Sequence, residues 1–169
     1  MKIFIYGFKP FKQYKENVTQ KILKHINQNK HIKVKIFDVL FDKNMFITEI
    51  ENFNPDIILG FGQYPRGKKI RIERTAKNIM AHSKKDIAEK INSELPSKIY
   101  STLKFKPDNL SRVTYNAGTY VCNFSMFVNI SHTTNSSTKY AFFHIPASFD
   151  VKTGVNWVNN ILKNQISKT

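Results

Sequence analysis

The chain has 169 residues, with 27 Lys and Arg against 12 Asp and Glu and a formal net charge of +15. That length suffices for a single domain over residues 1–169 with a proper core. Its one cysteine excludes an internal disulfide framework and a cysteine-rich zinc site and suits a reducing compartment. No apolar run approaches bilayer-spanning length and KIFIYGF is too short for a signal sequence, so a soluble, cytoplasmic protein without membrane attachment is expected.

KIFIY, residues 2–6, is a short β-rich run ending at Gly7, and a helix is predicted from Val18 to about Gln28. HIKVKIFDV follows as a strand with Ile32, Val34 and Ile36 on one face. Residues 44–53 read as a helix, and NPD introduces IILGFG, a strand buried on both faces. This βαβαβ order predicts a three-layer α/β/α sandwich around a mixed, largely parallel sheet. In such folds functional groups gather beyond the carboxyl ends of the strands, where Gly7, Gly60 and Gly62 stand.

Further along, IRIER alternates with period two, residues 86–92 are expected to form a short helix, and LSRVTYN another strand. Asn116-Ala117-Gly118 reads as a turn in which Gly118 is free to take positive φ. The apolar positions Val121, Phe124, Met126, Phe127, Val128 and Ile130 then predict a mostly buried helix, with Cys122 in its first turn. YAFFHIP is a late core strand carrying His144 at its carboxyl end. Residues 152–166 close the chain as an amphipathic helix around Val155, Val158, Ile161 and Leu162.

The charge makes nonspecific attraction to nucleic acid or other polyanions physically plausible, but no zinc-finger spacing, RNP-like motif or basic zipper accompanies it. RGKKIRIERTAK holds the sharpest cluster, six cations around the single acid Glu73; a solvated basic face is its ordinary explanation. Cys122 has two readings. Free cysteine is commonly a small buried hydrophobe, yet a helix's first turn collects unpaired amides and positive dipole, which stabilise a thiolate and could hold an oxyanion.

A cysteine nucleophile needs a base, and usually a third group to orient it. His25, His31 and His82 lie in polar, lysine-rich surroundings, and His132 lies more than about 12 Å from the start of the Cys122 helix. His144 is set apart by the apolar strand it ends, and is as well explained as a satisfied core histidine as a base. Glu73 follows the third strand closely enough to reach the same sheet edge, or it pairs with Arg71 or Arg74.

IRIERTAKN, NAGTYVCNFSMF and YAFFHIP, in that order, resemble the three active-site blocks of the pyroglutamyl peptidase I family, the pyrrolidone-carboxylate peptidases. YGFKPF is similar to the family's G-F-x-P-F segment, with Asn17 where its following Asn falls. Gln63 matches a family glutamine, and YSTL at 100–103 resembles another family segment. The resemblance implies a cysteine peptidase that removes N-terminal pyroglutamate from peptides through a triad of Glu73, Cys122 and His144, without metal or cofactor. It also implies a substrate pocket involving Phe8, Phe11, Asn17 and Gln63, and a homo-oligomer. A flat, uncharged lactam suits a dry aromatic pocket, whereas an ordinary peptide would have to bury its ammonium there.

The sequence departs from the family pattern in several places. Lys12-Gln13 replace paired glycines, Arg66-Gly67 stand where the family has Gly-Arg, Ala81 takes the place of an Asp, and the segment after Pro146 is brief. Three readings follow in order: an active pyroglutamyl peptidase, a related cysteine hydrolase of altered specificity, and an inactive basic module that binds nucleic acid.

Overall fold

In the computed structural model, which describes residues 1–11, 13–83 and 85–167, most of the predicted strands and helices appear in the expected order. The elements are β1 (Ile3–Phe8), α1 (Val18–Leu23), β2 (Ile32–Phe37), α2 (Lys43–Phe53), β3 (Ile57–Tyr64), β4 (Ile70–Glu73), β5 (Thr75–Lys77), β6 (Lys98–Tyr100), β7 (Ser111–Thr114), α3 (Val121–His132), β8 (Lys139–Pro146) and α4 (Val151–Ile166). Six strands form one sheet in the order β2-β1-β3-β8-β4-β7. The pairs β1–β2, β1–β3, β3–β8 and β4–β7 are parallel, while β4 meets β8 antiparallel. The sheet is therefore mixed and largely parallel, as expected.

Period-two alternation divides the strand side chains between two cores. Ile3, Ile5, Leu59, Phe61, Ile72 and Phe143 face α1 and α4 and pack on Trp157, Val158, Ile161 and Leu162. Phe4, Tyr6, Ile58, Tyr140 and Phe142 face the other way, against Phe46 and Ile50 of α2 and the buried side of α3. Glu73 and His144 share the parity of this second face, so the site is built between the sheet and α3.

Three differences from the sequence reading have local causes. The first helix ends at Leu23 with Lys24 as its C-cap, not near Gln28. Beyond it Gln28 Oε1 accepts from Val34 N at 2.8 Å, and Asn29 Oδ1 accepts from the amides of His31 and Ile32. These polar side chains offer the backbone bonds that compete with a helix. Residues 86–92 form no helix: Ile87 is 92% exposed, and Met80 and Glu89 exchange backbone bonds in an isolated bridge that a helix would not allow. The third is the small β5–β6 ladder, in which Thr75 to Lys77 pair antiparallel with Lys98 to Tyr100. Three residues are too few to show a period.

Candidate active site

Register brings the first two site residues together. Across the β4–β8 junction Glu73 pairs with Phe142 and Arg71 with His144, so the Glu73 and His144 side chains stand on neighbouring strands of one face. His144 Nδ1 and Glu73 Oε1 are 2.9 Å apart, and the two residues are 6% and 0% exposed. The ion pair with Arg71 or Arg74 is not what holds Glu73. Arg74 turns away to the carbonyls of Leu103 and Phe105. Arg71 lies 3.9 Å from the centroid of the Tyr64 ring, which itself meets the His144 ring edge-on at 6.0 Å.

Cys122 arrives from α3. The preceding turn closes as expected, Asn116 Oδ1 accepting from Gly118 N at 3.1 Å and Gly118 at φ 87°. Cys122 is partly exposed and free of any disulfide in the first turn of the helix. The N-cap, Tyr120, makes no side-chain capping bond, so its own side chain does not close the first-turn amides. Asn123, fully buried, fixes the turn in place: its Oδ1 accepts from Lys77 N at 2.8 Å, and its Nδ2 donates to Lys77 O and Ile79 O at 2.9 and 2.8 Å. Ser101 ties the same β5–β6 ladder to β4, donating from Oγ to Glu73 O at 2.9 Å.

Gly62 is the spacer that lets sulfur and imidazole meet. It pairs with His144 across β3 and β8, and a Cβ there would stand 2.5 Å from Cys122 Sγ and 3.1 Å from His144 Cδ2. The electrostatics follow from that closeness. Burial alone would push the His144 pKa down, but the negative Cys122 sulfur, its hydrogen bond to the ring and the Glu73 carboxylate overcome it, raising the pKa from 6.5 to about 9. Burial likewise works against the Glu73 carboxylate. The His144 hydrogen bond and charge, with Thr114 and Arg71, nevertheless hold its pKa below the ordinary value. The arrangement sets a sulfur nucleophile beside an imidazolium that can serve as an acid.

Cys122 opens on a cavity of about 570 Å³ whose lining includes Phe8, Phe11, Asn17, Gln63, Arg66 and Tyr120. All four expected pocket residues therefore line one space. Phe8 is 3% exposed within the second core, and the Phe11 ring lies 5.3 Å from that of Tyr120. Asn17 is the N-cap of α1: its Oδ1 accepts from Thr19 N and Oγ1, and its Nδ2 donates to Lys9 O. Gln63 Oε1 accepts from Val18 N at 2.7 Å, and its amide nitrogen makes no protein hydrogen bond among the described residues.

Two of the departures from the family pattern, Gln13 and Arg66, line this cavity. Lys12 is outside the described residues. Gly67 takes φ +96°, and a Cβ there would meet Tyr64 Oη at 2.0 Å, so the turn closes tightly over Tyr64 with Arg66 on the cavity rim. Ala81 is buried, its N–H donating to Thr119 O. After Pro146 the chain turns at once into α4, capped by Asp150 on Thr153 N.

Sequence reading did not single out Asn123, Thr114 or Tyr64. The one available signal was polar residues, Asn123, Ser125 and Asn129, recurring inside an apolar helix, where each needs a buried partner.

Comparison with known proteins places the chain further. The family model described as pyroglutamyl peptidase matches residues 1–154. A pyrrolidone-carboxylate peptidase of Saccharolobus islandicus is 28% identical over 166 residues, spanning 86% of this chain and 79% of the relative. Pyrrolidone-carboxylate peptidase 1 of Caldanaerobacter subterraneus subsp. tengcongensis is 32% identical over 171 residues, 86% of this chain and 82% of the relative. Among solved structures, pyrrolidone carboxyl peptidase from Thermococcus litoralis superposes with a TM-score of 0.74 at 26% identity, covering 86% and 76% of the two chains. A variant of the Pyrococcus furiosus enzyme gives a TM-score of 0.76 at 27% identity, covering 86% and 81%.

Proposed function

The chain belongs to the pyroglutamyl peptidase family of cysteine peptidases, and we propose that Cys122, His144 and Glu73 are the triad with which it removes an N-terminal pyroglutamyl residue from peptides. The observation that carries this reading is the buried 2.9 Å contact from Glu73 to His144, with Cys122 on the ring's other side at the mouth of the cavity.

In this mechanism the Cys122 sulfur attacks the carbonyl that joins pyroglutamate to the next residue. The charge developing on the carbonyl oxygen is received by first-turn amides of α3, which also carry the positive end of the helix dipole. His144, already protonated, gives its proton to the leaving amine as the C–N bond breaks, leaving a thioester on Cys122. Neutral His144 then takes a proton from the water that attacks the thioester and keeps it as the C–S bond breaks and pyroglutamate leaves, so the starting pair of sulfur and imidazolium is restored. Glu73 keeps Nδ1 engaged so that Nε2 faces the sulfur, and offsets the imidazolium charge throughout.

The cavity supports the substrate assignment. Phe8, Phe11 and Tyr120 supply apolar faces for the lactam ring, and the Gln63 amide nitrogen is a donor for its carbonyl. Asn17 serves the pocket through the loop and helix it holds together, since the bonds to Thr19 and Lys9 occupy both ends of its amide. The two cores on either face of one sheet support treating residues 1–169 as one catalytic domain. A reducing cytoplasm keeps the single thiol free.

The test is release of a fluorogenic amine from its pyroglutamyl amide under reducing conditions, beside a prolyl amide control. The parent should cleave the pyroglutamyl compound alone, and Cys122→Ala should lose at least about a thousandfold in kcat. A folded Cys122→Ala variant with parental turnover would exclude the nucleophile.

A further inference from the structure

The two oxygens of Glu73 have different surroundings. Oε1 meets His144 Nδ1, while Oε2, equally buried, closes no hydrogen bond among the described residues. A buried carboxylate oxygen without a donor is costly, and here it belongs to the group that must hold an imidazole steady. The parallel register of β4 and β7 pairs Glu73 directly with Thr114. The Thr114 hydroxyl is itself buried and without a partner. It is near enough to help hold the Glu73 carboxyl below its ordinary pKa.

Arg71, two residues earlier on the same face, acts through charge: its guanidinium is stacked on Tyr64, and its Nε is buried without a partner. Ser101, on the far side, contacts only the Glu73 carbonyl. Of the neighbours around Glu73, Thr114 alone is a short hydroxyl in register with the carboxylate. Nothing about packing at the edge strand β7 asks for that hydroxyl, since valine has the same shape and a similar preference for strands.

We propose that Thr114 is the positioning residue for the acid of the triad, its hydroxyl donating to Glu73 Oε2 so that Oε1 stays on His144 Nδ1 while the imidazole gives and takes its proton. The assignment rests on the triad reading. Thr114 touches neither substrate nor sulfur and acts through Glu73. The ionisable groups facing His144 are Cys122 from α3, Glu73 and Arg71 from β4, and Tyr64 from β3. A loosened Glu73 would withdraw one of the supports that hold the imidazolium.

The experiment measures kcat against pH on a pyroglutamyl amide for Thr114→Val, Thr114→Ser and Glu73→Gln. Thr114→Val should lose about tenfold in kcat, the scale of one charge-assisted hydrogen bond, with KM unchanged. Its alkaline limb should move to lower pH, and Thr114→Ser should restore both kcat and limb. A purely structural threonine would lower the melting temperature and leave the limb in place. Parental kcat and limb in Thr114→Val, with activity lost in Glu73→Gln, would overturn the role of Thr114 and leave the triad standing. Parental activity in Glu73→Gln would overturn the triad reading beneath it. Should Thr114→Val fail to fold, NMR titration of His144 in Thr114→Ala decides: a lowered pKa supports the proposal and a parental one overturns it.

Discussion

His144 sits where burial opposes its charge, and the negative sulfur and carboxylate on its two sides reverse that preference. Its folded pKa, about 9, lies above its ordinary 6.5, so the imidazolium contributes stability that is full below about pH 6.5 and is lost as pH rises through about 9. The alkaline limb of kcat/KM should fall near the same pH, where the proton for the leaving amine is lost. Melting temperature should drop over that range in the parent and by less in Cys122→Ala; equal drops would remove Cys122 as the support. Gly62 makes the complementary case. Gly62→Ala should cost at least about a hundredfold in kcat, because its Cβ would occupy space 2.5 Å from the sulfur, and misplacement of an ångström is enough for that. Parental turnover in Gly62→Ala would show that the spacing is not needed. At this scale the sequence named Glu73, Cys122 and His144 through their local motifs. It left Glu73 undecided between an arginine and the histidine, because only strand register says which neighbour is in reach.

Elements position these residues through polar contacts that cross between them. The first turn of α3 is fastened to the end of β5 by three hydrogen bonds of one side chain, Asn123, two to Lys77 and one to Ile79 just beyond the strand. Asn123→Ala would leave Lys77 N, Lys77 O and Ile79 O without their partners in a partly buried place, at about 2 kcal/mol. Urea unfolding should show that loss, with kcat falling as the Cys122 turn loosens. A variant within about 0.5 kcal/mol of the parent would mean that the contacts to α3 are redundant. Hydrophobic period exposed the long elements clearly: β3, α3, β8 and α4 are where the apolar pattern put them. It overextended α1 and supplied a helix at 86–92. Those errors share a cause, since side-chain amides and isolated β-bridges hold these stretches in place of helical backbone bonds.

The whole molecule carries +15, far more than the single Arg71 charge that acts on Glu73 at the site. Among the described residues no helix is long and apolar enough to cross a membrane. The positive field should produce weak, nonspecific binding to a single-stranded oligonucleotide that fades between about 50 and 200 mM salt and is the same in Cys122→Ala. Binding that persists well above that range would point instead to a dedicated polyanion site.

The sequence by itself determined the alternation that makes two cores on one sheet, the helix that opens at Cys122, and the family, because these depend on residue type and spacing along the chain. Only the tertiary structure decided that Glu73 meets His144 and not an arginine, that Gly62 clears space for the sulfur, and that Thr114 lies beside the unoccupied carboxylate oxygen. Each of those follows from which strands are neighbours and in what register, and register is fixed by the packing of the whole sheet.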